Sequence, residues 1–224
     1  MRPSDSWSKA RVTAGISILT AACWLIVTVL GLDDRAAVWG GFIPARIAFP
    51  DEAARLGVEL APVWLTPLTA TLLHASIIHL AFNLIILVFC GRRVENVLGP
   101  VSLLILYLLG AYAAAGAQYL IDPQSSMVMI GASGAISAVL GAYAMLFGRN
   151  RVSLVTGRLA VWLNALWLMA AWAILQLLVG IASAEGGLPF TGDGMAIAFA
   201  AHIGGFIVGV ILANPLLLFR YRKA

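Results

Sequence analysis

Six long apolar runs dominate this 224-residue chain, at roughly residues 12–31, 69–91, 99–121, 131–148, 158–182 and 196–219. A helix needs ~20 mostly apolar residues to cross the hydrocarbon core of a bilayer. Each run meets or approaches that length, and little sequence is left between them. Inside lipid, backbone polar groups must find partners within their own segment, so the runs have to be helices. The expectation is an all-α membrane protein: one domain over residues 1–224, with six transmembrane helices forming a bundle. Hydrophobic residues make up 62% of the chain and charged residues 11%, which argues against a soluble domain. The first run is read as an anchor, because it is too long for a cleavable signal and no small-residue cleavage site follows.

Charge gives the orientation. Eleven of the fourteen Lys and Arg residues fall in four clusters: Arg2, Lys9 and Arg11; Arg92 and Arg93; Arg149, Arg151 and Arg158; Arg220, Arg222 and Lys223. With six spans, all four clusters lie on one side. The other side holds Asp33, Asp34, Asp51, Glu52, Glu59, Asp122, Glu185 and Asp193, with Arg35, Arg46 and Arg55. The positive-inside rule then puts both termini in the cytoplasm of a multi-pass protein. The basic balance is a topology signal and calls for no nucleic-acid partner.

The long outside segment from 32 to about 68 mixes Trp, Phe, Pro and charge, and is expected to lie on or dip into the interface. Trp162, Trp167 and Trp172 in the fifth run read as lipid-facing or interfacial aromatics. Cys23 and Cys90 sit inside spans and read as small apolar fillers, with neither a disulfide nor a metal site expected.

Polar groups inside the membrane cost free energy, so each asks for a reason. All three histidines fall within the runs: His74 and His79 in the second, His202 in the sixth. Asn83 follows His79 at i+4 and shares its face. Ser133 lies between Gly131 and Gly134 at the outer mouth of the fourth run, the shortest of the six. Topology therefore lets Ser133, His202, His79 and Asn83 converge in the outer half of the bilayer.

Such a set has a definite chemistry. A serine hydroxyl is unreactive alone, and a neutral imidazole within hydrogen-bond reach can take its proton during attack. No carboxylate lies deep in any run, so Ser133 and His202 form a candidate dyad. Attack on an amide creates an oxyanion that needs preorganised donors. The Ser133 N–H at a helix N-terminus is one, and His79 and the Asn83 side-chain amide are others. Gly131 and Gly134 let backbones approach near the nucleophile. Ala201, Gly205 and Gly209 make a small-residue stripe beside His202, and Gly134, Ala138 and Gly141 make a matching face on the fourth helix.

Three ordered motifs, His74 to Asn83 (HASIIHLAFN), Gly131 to Ala138 (GASGAISA) and Ala201 to Gly209 (AHIGGFIVG), resemble those of the rhomboid intramembrane serine proteases. Gly91 to Gly99 (GRRVENVLG) is similar to that family's turn after the second span. The resemblance covers roughly residues 10 to 220. It implies a six-helix rhomboid-like bundle, Ser133 as nucleophile and His202 as base. It also implies His79, Asn83 and the Ser133 amide as the oxyanion site. Glu95, His74, Gly131, Gly134, Gly205 and Gly209 are then structural support, and Glu95 with Arg92 and Arg93 reads as a solvated helix end or interfacial turn. The fifth span becomes a candidate lateral gate.

The implied substrates are transmembrane segments of other proteins in the lipid bilayer, with no cofactor and no metal. The compact form suggests a bacterial inner membrane. Two positions depart from the family pattern. Ser137 stands where the family often has an aromatic that stacks on the base; it is also one turn from Ser133 on the same face, which makes it a rival nucleophile. Trp64 stands without the arginine that many members carry beside it. Two other functions would leave different marks. An inactive client-binding relative would lack the serine or the histidine. A transporter would show midplane charges or paired broken helices.

Overall fold

The structure, a computed structural model, describes residues 10–50, 60–148, 158–184 and 194–222. Within them the chain is helical: α1 (Arg11–Val29), α2 (Asp33–Gly40), α3 (Ala45–Ala48), α4 (Thr66–Thr69), α5 (Ile77–Leu98), α6 (Pro100–Ile121), α7 (Ser133–Phe147), α8 (Arg158–Ala184) and α9 (Gly194–Tyr221). No strand forms among the described residues, and one isolated antiparallel bridge pairs Phe42 with Met129. Four stretches are long and apolar enough to cross a membrane: α1, α5, α6 and Phe199–Tyr221 of α9. Helix α7 and the Leu159–Leu175 part of α8 are apolar but shorter. The chain is an integral membrane protein built of helices.

The second apolar run is not one helix. Helix α4 continues through a 3₁₀ turn, Ala70–Leu72, and then breaks. Leu73 is extended, and the next helix begins only at Ile77. The cause is local: Ser76 takes extended dihedrals and its Oγ accepts the His79 N–H at 3.1 Å, an N-cap that starts the helix there. His74 therefore lies in the break and not on a span. At its other end α5 passes through a π turn, Leu87–Gly91, and stops at Gly99. Gly99 has φ +89, which only glycine adopts without strain, and Pro100 opens α6.

Helix α7 is the centre of the bundle, with ten of its fifteen residues buried. It packs between α6 and α9, and the packing is backbone on backbone. A Cβ at Gly205 would collide with the Gly134 carbonyl oxygen, and one at Gly209 with that of Ala138. Gly134 lies against Ala114 of α6, and Gly141 against the Phe206 carbonyl. Small residues are what allow this approach when no hydrophobic drive exists between helices in lipid. The large exposed apolar residues of α1, α6 and α8, such as Leu25, Leu109 and Trp167, point outward.

Glu95 corrects an expectation. It is not a solvated helix end but is only 1% exposed. Its carboxylate accepts from Val12 N at 2.9 Å, Thr13 N at 2.8 Å and Thr13 Oγ1 at 2.7 Å. Helix α1 has no side-chain cap of its own, and the Glu95 carboxylate satisfies its orphan N–H groups from across the bundle. Arg220 at the end of α9 donates to the Glu95 and Asn96 carbonyls at 3.3 and 3.2 Å. The start of α1 and the ends of α5 and α9 thus meet at one end of the bundle.

The connection after α2 is stitched to the loop before α7 by backbone bonds. Phe42 and Met129 exchange two of them, at 2.9 and 2.8 Å. Ala45 N donates to Ser125 O and Gly131 N to Ala70 O. Replacing Glu95 by Gln removes the charge from three hydrogen bonds. It is expected to lower stability by ~1–3 kcal/mol, read as a lower thermal midpoint in detergent. An unchanged midpoint would show that the cap is idle.

Candidate active site

Ser133 is the first residue of α7, so its N–H belongs to the first turn and has no intrahelical partner. The loop before it is held in place. Gly131 has φ +117, and its N–H is bonded to Ala70 O at 2.8 Å. Ala132 N donates to His74 Nε2 in a long bond of 3.4 Å. The break before α5 therefore has a purpose in the geometry: it brings the buried His74 ring under the backbone that leads to Ser133.

His202 lies on α9, one turn before the Gly205 contact with Gly134. That contact sets the two helices so close that His202 Nε2 stands 2.9 Å from Ser133 Oγ. Both residues are buried, at 6% and 9% exposure. Which partner donates depends on the imidazole tautomer. A hydrogen bond of this length between a hydroxyl and an imidazole is within the reach that a base needs to take a proton from a nucleophile.

His79 is in the first turn of α5 and turns toward the same loop. A Cβ on Gly131 would lie 2.7 Å from its Cε1 and 2.9 Å from its Nε2. His79 also meets His74 edge-on, with ring centroids 4.9 Å apart. Asn83, one turn further on, is fully buried, and its Nδ2 donates to the His79 carbonyl at 2.9 Å. An amide nitrogen carries two protons, so one remains after that bond. The Ser133–His202 pair is the direct contact of the set, and His74 and His79 frame the loop behind it.

Two readings of the sequence need correction here. Trp172 does not face lipid. It is 3% exposed, whereas Trp162 and Trp167 are 50% and 71% exposed. Each step of five residues turns a helix by roughly 140° beyond a full turn, so the three tryptophans point three different ways, and the spacing alone does not pick out Trp172 as the buried one. Ser137 is not placed as a nucleophile either. It has no exposure, its hydroxyl donates to Ser133 O at 2.7 Å, and its oxygen accepts the Trp172 indole N–H at 2.7 Å.

Comparison with known proteins gives a consistent answer. Residues 61–219 match the family model described as Rhomboid domain, and that range includes every candidate site residue above. The chain is 30% identical over 202 residues to the Rhomboid protease GlpG of Pectobacterium atrosepticum, covering 90% of this chain and 61% of that protein. It is 26% identical over 204 residues to the protein of the same name from Serratia proteamaculans, with the same coverage. The chain thus spans 61% of the length of these relatives.

Gly131→Ala tests the loop. A methyl group there meets the His79 ring and forces a side chain into a positive φ, so destabilisation of ~1–3 kcal/mol and a shifted His79 ring resonance are expected. A protein that melts like the parent with His79 undisturbed would count against this packing.

Proposed function

The chain belongs to the rhomboid family, and on that premise we propose that it is an intramembrane serine endopeptidase that cuts transmembrane segments of other membrane proteins. One observation carries the reading: Ser133 Oγ and His202 Nε2 are 2.9 Å apart, buried, on two helices locked together by glycine contacts.

The chemistry follows from the groups present. Ser133 Oγ attacks the scissile carbonyl carbon while His202 Nε2 takes the hydroxyl proton. The carbonyl π pair moves to oxygen, and the resulting oxyanion is met by the Ser133 N–H, the remaining Asn83 amide proton and the His79 ring. Collapse expels the amine, which receives the proton from His202, and leaves an acyl-Ser133. Water, giving a proton to His202, then attacks the acyl carbon; the C–Oγ bond breaks, His202 returns that proton to Ser133 Oγ, and the acid product leaves and ionises to its carboxylate.

We read six crossings: α1, α5, α6, α7, α8 and α9, in one membrane domain. Helix α7 extends only about 22 Å at 1.5 Å per residue, against a hydrocarbon core of ~30 Å. Being sheathed by α6 and α9, it need not reach both surfaces. Its N-terminal end, with Ser133, then lies below the outer surface, where water must reach it through the protein. The meeting of the α1 start with the ends of α5 and α9 supports placing Arg11, Arg92, Arg93 and Arg220 together on the cytoplasmic side. The bacterial relatives support an inner-membrane location.

Purified protein is expected to cleave a transmembrane substrate in detergent, and Ser133→Ala and His202→Ala are each expected to abolish cleavage while the bundle stays folded. Cleavage surviving in Ser133→Ala would refute the assignment. Asn83→Ala should slow turnover by ~10²-fold if its amide meets the oxyanion. Unchanged turnover there would remove Asn83 from that role.

A further inference from the structure

We propose that Trp172 is a positioning residue for His202, and that Ser137 fixes Trp172 in that task. The inference rests on the dyad reading above and extends it to a third helix, α8.

The structure supplies a closed circuit. Ser137 Oγ donates to the Ser133 carbonyl at 2.7 Å and accepts from Trp172 Nε1 at 2.7 Å. The Trp172 ring meets His202 edge-on, with centroids 6.2 Å apart and planes at 65°. His202 Nε2 returns to Ser133 Oγ at 2.9 Å. The circuit begins and ends on Ser133 and passes through α7, α8 and α9.

Each link has a physical reason. A buried indole N–H must find an acceptor, and Ser137 is the one it has, so the ring is fixed in rotation as well as in place. Ser137 can serve because its own proton is committed to the Ser133 carbonyl, which aims a lone pair at α8. An edge-to-face pair at this separation is within the favoured 4.5–7 Å range. An imidazole turns about two side-chain bonds, while proton transfer requires Nε2 to stay aimed at Oγ. The glycine contacts hold the α9 backbone, and Trp172 supplies a wall against the ring itself, acting through His202 without touching the scissile bond.

The test measures the rate at which a fluorophosphonate labels Ser133, in which Oγ displaces fluoride from phosphorus and the proton passes to His202. Labelling needs the dyad but no transmembrane substrate. Trp172→Leu is expected to slow labelling by ~3–10-fold, the size of an aromatic pair. Cleavage should lose kcat with KM unchanged. Trp172→Phe, which keeps a ring but not the N–H, should recover part of the rate. Ser137→Ala should fall to a similar level, and Ser137→Ala with Trp172→Phe should be no slower than the slower single variant, because both break the same link.

A ring-current shift supplies a readout independent of reactivity. The His202 Cε1–H resonance should move in Trp172→Leu and in Ser137→Ala. Labelling at the parent rate in folded Trp172→Leu, or an unmoved resonance, would overturn the proposal. A change in KM alone would do so too, by making Trp172 a substrate contact. A parent protein that fails to label at Ser133 would sink the dyad reading instead, and the resonance would still decide whether Trp172 holds His202.

Discussion

The contact of α7 with α9, backbone against backbone, is the constraint on which the rest of the structure depends. Gly205 lies on the Gly134 carbonyl and Gly209 on that of Ala138. Lipid tails are as apolar as leucine, so helices in a bilayer gain little from burying apolar side chains against each other. What they can gain is dense packing and weak Cα–H···O contacts, and both need the missing Cβ. The same contact sets the distance between the serine at the head of α7 and the histidine one turn before Gly205. A methyl group at 205 would push α9 away and open the 2.9 Å gap between Oγ and Nε2. Packing and site geometry are one problem here.

Two groups of buried polar contacts lie at different places in the bundle. In one, the Glu95 carboxylate holds the first turn of α1, and Arg220 closes over the carbonyls at the end of α5. In the other, His74 braces the loop at Ala132, and Ser137 links α7 to α8. In each case a side chain satisfies groups on a distant segment of the chain. Each such bond lets a helix begin, end or turn without leaving an orphan in apolar surroundings.

Much of this was legible in the sequence. Apolar run lengths located the helices, and glycine spacing on 201–209 and 134–141 marked the faces that meet. The misses share a cause. Glu95 was read as solvated because it neighbours Arg92 and Arg93, but its partners, Val12 and Thr13, lie more than eighty residues away. The break at His74 was hidden because Leu72, Leu73, Ile77 and Ile78 keep the run apolar, while a single Ser76 hydroxyl decides where the helix starts. The sequence also left His202 without an aromatic neighbour at position 137. The ring comes from 35 residues downstream, on a helix whose composition looks uniformly lipid-facing. Composition reports solvent preference averaged over a segment. It does not report which side of a helix meets a partner.

A neutral dyad suits its surroundings. Burying a carboxylate beside the histidine would add a desolvation cost of several kcal/mol, recovered only with full hydrogen bonding. Glu95 meets that demand with three donors. On the proposed reading, a serine and an imidazole make no such demand, and charge arises as attack proceeds, on the oxyanion and on His202. In that mechanism the first-turn N–H groups of α7 and the Asn83 amide serve as fixed dipoles that favour the oxyanion without reorganising. Packing is one way to aim an imidazole. On the proposed reading that is the task of the Trp172 wall: where a soluble enzyme can orient its base with a charge, a base in lipid can be oriented by shape.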